Sequence, residues 1–278
     1  MMAGTLYVIA TPIGNLEDIT LRALRILKEV DLIAAEDTRH TRILLGHYDI
    51  HTPLTSYHEH NEKNKTAVLV ARLKQGASVA LVSDAGTPLL SDPGYRLVRE
   101  AIKAGIHMIP IPGVSALTAV LSVSGLPVDG FVFEGFLPAK KGERIERLKN
   151  LREESRTLVF YEVPHRIEES LQDLLDILGD REVVLGREVT KLYEEFIRGR
   201  LNEVIARGKR EEWRGEITLV VKGTEGMSGA SDELLMDEIR KLRSGGFRIK
   251  EIAELLGKKS SYSKREIYRL ALEAAEKK

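Results

Sequence analysis

The first 111 residues alternate short runs of β-forming residues with helical patterns, and this alternation constrains the fold more than any other feature. Helical patterns lie at about 20–29, 61–75 and 93–104. The strand patterns between and around them lie at 5–10, 30–35, 52–57, 79–82 and 107–111. Because strands that alternate with helices form mostly parallel sheets, the pattern predicts an α/β domain over residues 1–113.

The chain changes character after an apolar helical pattern at 112–125. Helical patterns at 142–154, 165–178 and 201–208 are fewer per strand than before. The strand candidates are rich in apolar and aromatic residues and lie at 131–138, 157–163, 182–190, 194–199 and 215–223. They predict a mixed sheet in a second α/β domain, 114–223. The glycine-rich stretch 223–231 is typical of a linker, and 232–278 is predicted to be a separate helical module.

Composition excludes several classes of protein. The 278 residues contain no Cys, so disulfides, zinc–thiolate sites and thiol nucleophiles are excluded. No apolar run approaches the roughly 18 residues of a membrane span, and the N-terminus lacks the pattern of a secretory signal. We therefore expect a cytoplasmic protein without a membrane partner. The 42 basic and 42 acidic residues cancel, so net charge indicates no partner.

The stretch "VALVSDAGTPLLSDPG", residues 79–94, joins a buried strand to a helix. Asp92 and Pro93 are typical of a helix start, so Asp92 is predicted to cap free backbone N–H groups. The preceding "SDAGTP" lies at the carboxyl end of a parallel strand, where open α/β sheets bind ligands. Gly86 would allow close approach of a ligand. A plain turn is the alternative, and on shape alone the two readings are equal.

The usual nucleotide signatures do not occur. The sequence contains no G-x-x-x-x-G-K-[ST], and "ATPIGN" after the first strand offers a single glycine, Gly14, in place of G-x-G-x-x-G. This argues against P-loop enzymes, Rossmann dehydrogenases and the common methyltransferases with a glycine-rich first loop.

An ordered series of motifs resembles one known family. The motifs are "LYVIATPIGNLEDIT", "AAEDTRHTRILL", "SDAGTPLLSDPG", "IPGVSALTAVLSVSGLP", "FEGFLP", "FYEVPHRI" and "LGREVTKLYEEF". Together they resemble the ribosomal RNA small-subunit methyltransferase I family, a branch of the tetrapyrrole methylase superfamily, over residues 5 to about 223. Where tetrapyrrole methylases carry Gly-Asp-Pro, this chain has Gly86-Thr87-Pro88, which favours the RNA-directed branch.

The resemblance implies a two-domain fold of the class III methyltransferases, with S-adenosylmethionine in the cleft between domains, and a homodimer. It implies methylation of the ribose 2′-hydroxyl of a cytidine in the decoding region of small-subunit (16S) ribosomal RNA. By position, the implied cofactor-binding residues are Ala10, Pro12, Asp84, Gly86, Thr87, Leu90, Ser115, Ala116, Phe160, Tyr161, Ile217 and Thr218.

A carboxylate or histidine could serve as base for a neutral ribose hydroxyl. The candidates follow predicted strands and are Glu36, Asp37, Glu134 and His165. A solvated loop with local ion pairs explains Glu36 and Asp37 equally well. Five of the seven His lie between positions 40 and 60, but the proposed reaction needs no metal and none is expected.

Two basic zones are candidate RNA contacts. Residues 240–269 carry ten Lys or Arg against three acids, and their pattern resembles a helix-turn-helix. Residues 138–156 carry seven against four. The predicted contacts with RNA are Arg39, Arg42, Lys140, Lys141, Lys258, Lys259, Lys264 and Arg265. The alternative is that these are solvated helix faces and that the C-terminal module is a helical tail packed on the second domain.

Two other functions keep part of this interpretation. A methyltransferase with the same fold and cofactor could act on a tetrapyrrole or another small molecule. An RNA-binding assembly factor could retain the fold without catalysis. The basic C-terminal module argues against the first, and the intact "DAGTP" and "PGVSA" motifs argue against the second.

Overall fold

A computed structural model of the protein describes residues 4–208, 213–224, 228–257, 262 and 264–276. Contacts divide the chain into a unit of residues 1–223 and a unit of residues 224–278. Within the described residues, no helix is both long and apolar enough to cross a membrane.

The first half of the larger unit contains a five-stranded parallel sheet with the order β3-β2-β4-β1-β5. Its strands are β1 (Thr5–Ile9), β2 (Leu32–Ala35), β3 (Leu54–Ser56), β4 (Val79–Val82) and β5 (His107–Ile111). Its helices are α1 (Leu21–Glu29), α2 (Thr38–His47), α3 (Glu62–Lys74) and α4 (Tyr95–Lys103). The parallel α/β fold predicted from the alternation is confirmed.

Helices cover both faces of this sheet. Side chains of α1 and α2 share a core with Ile9, Ile33 and Val82, whereas α3 and α4 pack with Leu6 and Leu81 on the other face. Right-handed crossovers require this, because the chain leaves β1 toward one edge of the sheet and leaves β4 toward the other. The gap between β1 and β4 is therefore the topological switch point of the sheet, the place where such sheets bind ligands.

Two local features differ from the sequence prediction. The α2 helix was not predicted, because its stretch "TRHTRILLGH" is polar on most sides and only a narrow stripe at Thr41, Leu44 and Leu45 is buried. The apolar helix predicted at 112–125 is shorter, since α5 spans Ala116–Ser122. In the segment that precedes α5, the backbone passes close to the end of β1. A Cβ atom on Gly113 would lie 2.9 Å from the Cβ atom of Ala10.

The second half of the larger unit contains a mixed sheet with the order β6-β7-β10-β8-β9. The β6–β7 pair is parallel and the remaining pairs are antiparallel, so the predicted mixed sheet is confirmed. The strands are β6 (Phe131–Phe136), β7 (Thr157–Glu162), β8 (Glu182–Arg187), β9 (Glu195–Arg200) and β10 (Ile217–Val221). The helices α6 (Lys141–Asn150), α7 (Ile167–Leu178) and α8 (Leu201–Gly208) cover one face, and α5 and Ile13 pack on the other.

The smaller unit is helical in its described part. It contains α9 (Ser228–Ser244), α10 (Ile249–Leu256) and α11 (Lys264–Glu276), packed around Leu235, Ile239, Ile252 and Ile267. The α9 helix begins inside the stretch predicted as a linker, of which residues 225–227 lie outside the described part.

Candidate functional site

The loops after β1 and β4 are joined at the switch point of the parallel sheet. The backbone N–H of Thr11 donates to the carbonyl of Gly86 (2.8 Å), and the N–H of Gly86 donates to the carbonyl of Thr11 (2.9 Å). The Thr11 hydroxyl also donates to the carbonyl of Ser83 (3.0 Å). These bonds hold the "DAGTP" loop in one position against the first strand.

A cavity of about 280 Å³ opens beside this junction. The loops after β1, β2 and β4 form one side, and the start of α5 with the ends of β7 and β10 forms the other. Its lining residues are Ile13, Glu36, Asp84, Ala85, Gly86, Thr87, Leu90, Ser91, Asp92, Ser115, Ala116, Phe136, Tyr161, Glu162, Val163, Glu216, Ile217 and Thr218.

The loop from β4 to α4 has an unusual backbone. Leu89 (φ 75°) and Ser91 (φ 70°) occupy the left-handed region that side chains rarely adopt. Such strain persists only where the surroundings impose it. The Ser91 side chain packs closely against the second sheet, where a Cβ on Gly135 would lie 2.8 Å from Ser91 Oγ. Gly135 lies at an irregularity of β6, so the bulge makes room for the loop.

The predicted capping role of Asp92 is wrong. The α4 helix begins at Tyr95 after an N-cap at Gly94, which makes no side-chain cap bond. Gly94 has a φ of 139°, and this turn separates Asp92 from the helix. The Asp92 side chain instead lines the cavity.

Three carboxylates line the first-sheet side of the cavity: Glu36 from the loop after β2, and Asp84 and Asp92 from the loop after β4. The backbone N–H of Asp37 donates to Asp84 Oδ1 (3.0 Å), and the N–H of Asp84 donates to Glu36 Oε2 (3.4 Å). Burial raises the pKa of Glu36. Burial also raises the pKa of Asp92 to about 6, and the charges of Glu36 and Asp84 act in the same direction.

The two other carboxylates that line the cavity are neutralised by ion pairs. Glu162 accepts from Arg166 Nη2 (2.7 Å) and from Ser170 Oγ (2.5 Å). Glu216 lies 3.0 Å from Lys191 Nζ. None of the described lining residues is a Lys, Arg or His. The cavity therefore carries an excess of negative charge at neutral pH and is suited to a ligand with a cationic centre.

The second-sheet wall is set by strand register. Thr218 of β10 lies opposite Tyr161 of β7, and both line the cavity. The Tyr161 ring packs edge-on against Phe133 (5.0 Å between centroids) and Phe136 (5.7 Å). Burial raises the pKa of Tyr161, so its hydroxyl is a neutral polar group at physiological pH.

Nine of the twelve predicted cofactor-binding residues line this cavity: Asp84, Gly86, Thr87, Leu90, Ser115, Ala116, Tyr161, Ile217 and Thr218. The other three do not. Ala10 is buried beside Gly113, and Pro12 lines a neighbouring recess with His40 and Ser83. Phe160 lies in the core on the α6–α7 side, because consecutive strand residues face opposite sides of a sheet.

The four predicted base candidates lie in different settings. Glu36 lines the cavity. Asp37 caps α2 and pairs with Arg39 (2.6 Å), which holds the pKa of Asp37 far below its usual range. Glu134 is buried and lies 2.5 Å from Arg147 Nε. His165 is exposed in the turn before α7.

The predicted RNA contacts are mostly on the surface. Arg42 and Lys141 are exposed, Arg39 pairs with Asp37, and Lys140 pairs with Glu143 (3.0 Å). Lys264 is exposed at the start of α11. Lys258 and Lys259 and the side chain of Arg265 lie outside the described residues.

Sequence reasoning missed Asp92 and Glu216 as cavity residues. One signal for Asp92 was present in the sequence. Residues 84–94 contain two Gly, two Pro and two Asp, which is more turn-forming residues than a helix start needs. Glu216 had no such signal. Within the described part of the chain, no group of three or more His, Asp or Glu side chains could hold a metal ion.

Comparison with known proteins identifies close relatives. Residues 5–205 match the family of tetrapyrrole (corrin/porphyrin) methylases. The chain is 47% identical over 273 residues to the ribosomal RNA small subunit methyltransferase I of Halalkalibacterium halodurans, covering 96% of this chain and 94% of that protein. It is 51% identical over 222 residues to the protein of the same name from Thermotoga maritima, covering 80% of this chain and 100% of that one.

A solved structure shares the fold. The uroporphyrin III C-methyltransferase of Thermus thermophilus has a TM-score of 0.55 and 23% identity, with 78% of this chain and 97% of that chain covered. At this identity the likeness concerns the architecture alone.

Proposed function

This chain belongs to the ribosomal RNA small subunit methyltransferase I family within the tetrapyrrole methylases, and on that premise we propose that it methylates small-subunit ribosomal RNA. The methyl donor of the family is S-adenosylmethionine. The acceptor in the proposal is the ribose 2′-hydroxyl of a cytidine in the decoding region. A ribosomal acceptor also makes the cytoplasm the expected site of action.

The cavity at the β1–β4 switch point is the observation that carries the proposal. It contains most of the residues that the family resemblance assigns to the cofactor. Its chemistry fits S-adenosylmethionine, because the sulfonium is cationic and the unpaired carboxylates of Glu36, Asp84 and Asp92 face the same space. Leu90, Ala116 and Ile217 offer apolar surface for an adenine ring.

The chain's own residues have a limited task in such a reaction. When bound, S-adenosylmethionine supplies a methyl group already activated by the positive sulfur. The protein must align the acceptor hydroxyl with that group and exclude water. The fixed Thr11–Gly86 junction and the strand register of Tyr161 and Thr218 supply a rigid frame for this alignment.

The proposed domain boundaries, 1–113 and 114–223, separate the parallel sheet from the mixed sheet. In the proposal the cofactor contacts come from both. Residues 232–278 form the RNA-contacting module, and the active species is a homodimer. Size-exclusion chromatography with light scattering tests the dimer: a mass close to 31 kDa would contradict it.

The decisive experiment offers three acceptors to the purified protein. Labelled S-adenosylmethionine is incubated with assembled small subunits, with naked ribosomal RNA and with a porphyrin precursor, and mass spectrometry locates the label. Label on a cytidine ribose is the expected result. Label on the porphyrin precursor would support the tetrapyrrole alternative, and binding to RNA without transfer would support the assembly factor.

Deleting residues 232–278 tests the C-terminal module. Since part of the affinity would come from contacts with phosphates, the deletion should weaken RNA methylation and flatten its salt dependence, while S-adenosylmethionine binds as before. We therefore expect reduced affinity for RNA with an unchanged maximal rate, and an unchanged salt dependence would contradict the assignment.

A further inference from the structure

Asp92 has a structural position that its local sequence does not explain. A "DPG" triplet before a helix is expected to cap that helix, yet the cap of α4 is Gly94 and Asp92 lines the cavity. The residue before it, Ser91, has a left-handed backbone and packs against Gly135. Backbone strain of this kind clusters at functional sites, which makes the loop around Asp92 a candidate for one.

The other carboxylates at the cavity already have charged or backbone partners. Glu162 forms an ion pair with Arg166, and Glu216 with Lys191. Asp84 accepts a bond from the backbone N–H of Asp37. Glu36 accepts from the backbone N–H of Asp84. Asp92 has the Ser83 side chain as its hydrogen-bonding neighbour, and among the described residues no cation pairs with Asp92.

We propose that Asp92 is the general base that accepts the proton of the ribose 2′-hydroxyl. This inference rests on the proposed function. In the step, the hydroxyl proton passes to a carboxylate oxygen of Asp92 as the ribose oxygen forms a bond to the methyl carbon. The bond between methyl carbon and sulfur breaks, and its electron pair stays on sulfur as a neutral thioether. Protonated Asp92 then returns its proton to water.

The surroundings of Asp92 match this task. Glu36 and Asp84 face it from the loops after β2 and β4, and Tyr161, Glu162 and Glu216 line the same cavity from the second sheet. Burial, with the nearby negative charges of Glu36 and Asp84, raises the pKa of Asp92 to about 6. A base is most effective when its pKa is close to the working pH, so that it is both ionised and able to hold a proton.

The test compares D92N with wild type in single-turnover methylation of small subunits between pH 5.5 and 8. Wild type should lose about tenfold in rate per pH unit below about 6. In D92N the rate at pH 7.5 should fall by about 10²–10⁴-fold and lose this acidic limb. The dissociation constant of S-adenosylmethionine, measured by calorimetry, should rise by no more than about fivefold, because one negative charge leaves the cavity, which is far less than the loss of rate. The matched control is D129N, which alters an exposed aspartate.

A second variant tests the place of the titrating group. In E36Q a negative neighbour is removed, so the acidic limb should move to lower pH. An unmoved limb would mean that the group that titrates does not lie beside Glu36, and would overturn the assignment.

The remaining outcomes also decide. If D92N methylates as fast as D129N, or if it loses S-adenosylmethionine binding to the same extent as rate, Asp92 is not the base. If D92N does not fold, the wild-type profile decides, and a rate independent of pH around 6 overturns the inference. Failure of the proposed function is distinct, since wild type itself would then leave the RNA unlabelled.

Discussion

Removing one negative charge from the cavity should weaken binding of S-adenosylmethionine more than binding of its product. The two ligands differ at sulfur, which is a cation in the donor and neutral in S-adenosylhomocysteine. Glu36 is half-buried and lines the cavity, and pH 8 lies well above the usual pKa range of a carboxyl group. Replacing it by Gln keeps the shape of the side chain and removes the charge.

The size of the cavity sets the magnitude of the effect. A sphere of about 280 Å³ is about 8 Å across, and two unit charges at about that distance interact by about 2 kcal/mol at an effective dielectric constant of about 20. Because water reaches Glu36 and screens its charge, we halve this interaction energy to about 1 kcal/mol. The ratio of the two dissociation constants should therefore change about fivefold.

Calorimetry with both ligands at pH 8 measures this ratio for wild type, E36Q and D129N. We expect E36Q to bind the donor about fivefold more weakly and the product as wild type does. Equal weakening of both ligands would mean that Glu36 contacts a group they share. An unchanged ratio would refute the electrostatic reasoning, and a change in D129N would show that the effect is not local to the cavity.

Three further predictions concern stability. Ala at Gly86, where φ is 78°, should cost about 1 kcal/mol and lower Tm by about 2–4 °C, whereas Ala at Gly46, a helical position with open space, should not lower it. The Arg144→Met variant leaves the carboxylate of Asp173 buried and unpaired, so urea denaturation should show that the free energy of unfolding falls by about 3–5 kcal/mol. Adding Asp173→Leu should recover most of this loss, and equal instability of the single and double variants would contradict the reasoning. The pKa of Asp92 in the folded protein, about 6, lies above the ordinary 3.8, so ionisation of this group costs stability as pH rises from about 4 to 6. D92N should therefore be more stable than wild type at pH 7 by about 1–2 kcal/mol and equal to it near pH 4, as judged by thermal unfolding at both pH values.

Much of the fold could be predicted from the sequence because its elements have strong local signals. The apolar runs of β4 and β5 predict the first and last residue of both strands correctly. Helix α8 is also bounded as predicted, at Leu201–Gly208. The α2 helix was missed because its buried stripe is narrow and its cap, Asp37, sits among other charged residues that resemble a loop.

The site was less predictable, for two physical reasons. Whether a strand residue faces a cavity or the core depends on which side of the sheet it occupies. The adjacent Phe160 and Tyr161 therefore lie on opposite sides, Phe160 in the core and Tyr161 at the cavity. Asp92 follows Ser91, whose backbone is left-handed and whose side chain packs against Gly135 of another sheet, a contact that no local pattern indicates. Glu216 was missed for the same reason, because tertiary packing and not a local pattern places it at the cavity.

The wall formed by β7 and β10 bears on how enzymes of this architecture can diverge. Tyr161 and Thr218 are cross-strand partners, so a slip of one residue in either strand would turn its side chain away from the cavity. Evolution can therefore conserve this wall but can hardly shift its strand register. The loops after β1 and β4 are constrained as well, because the Thr11–Gly86 bonds hold them to each other. A lineage could thus trade a large RNA acceptor for a small molecule only by changes outside this wall and this junction, while the donor's half of the chemistry passes on untouched.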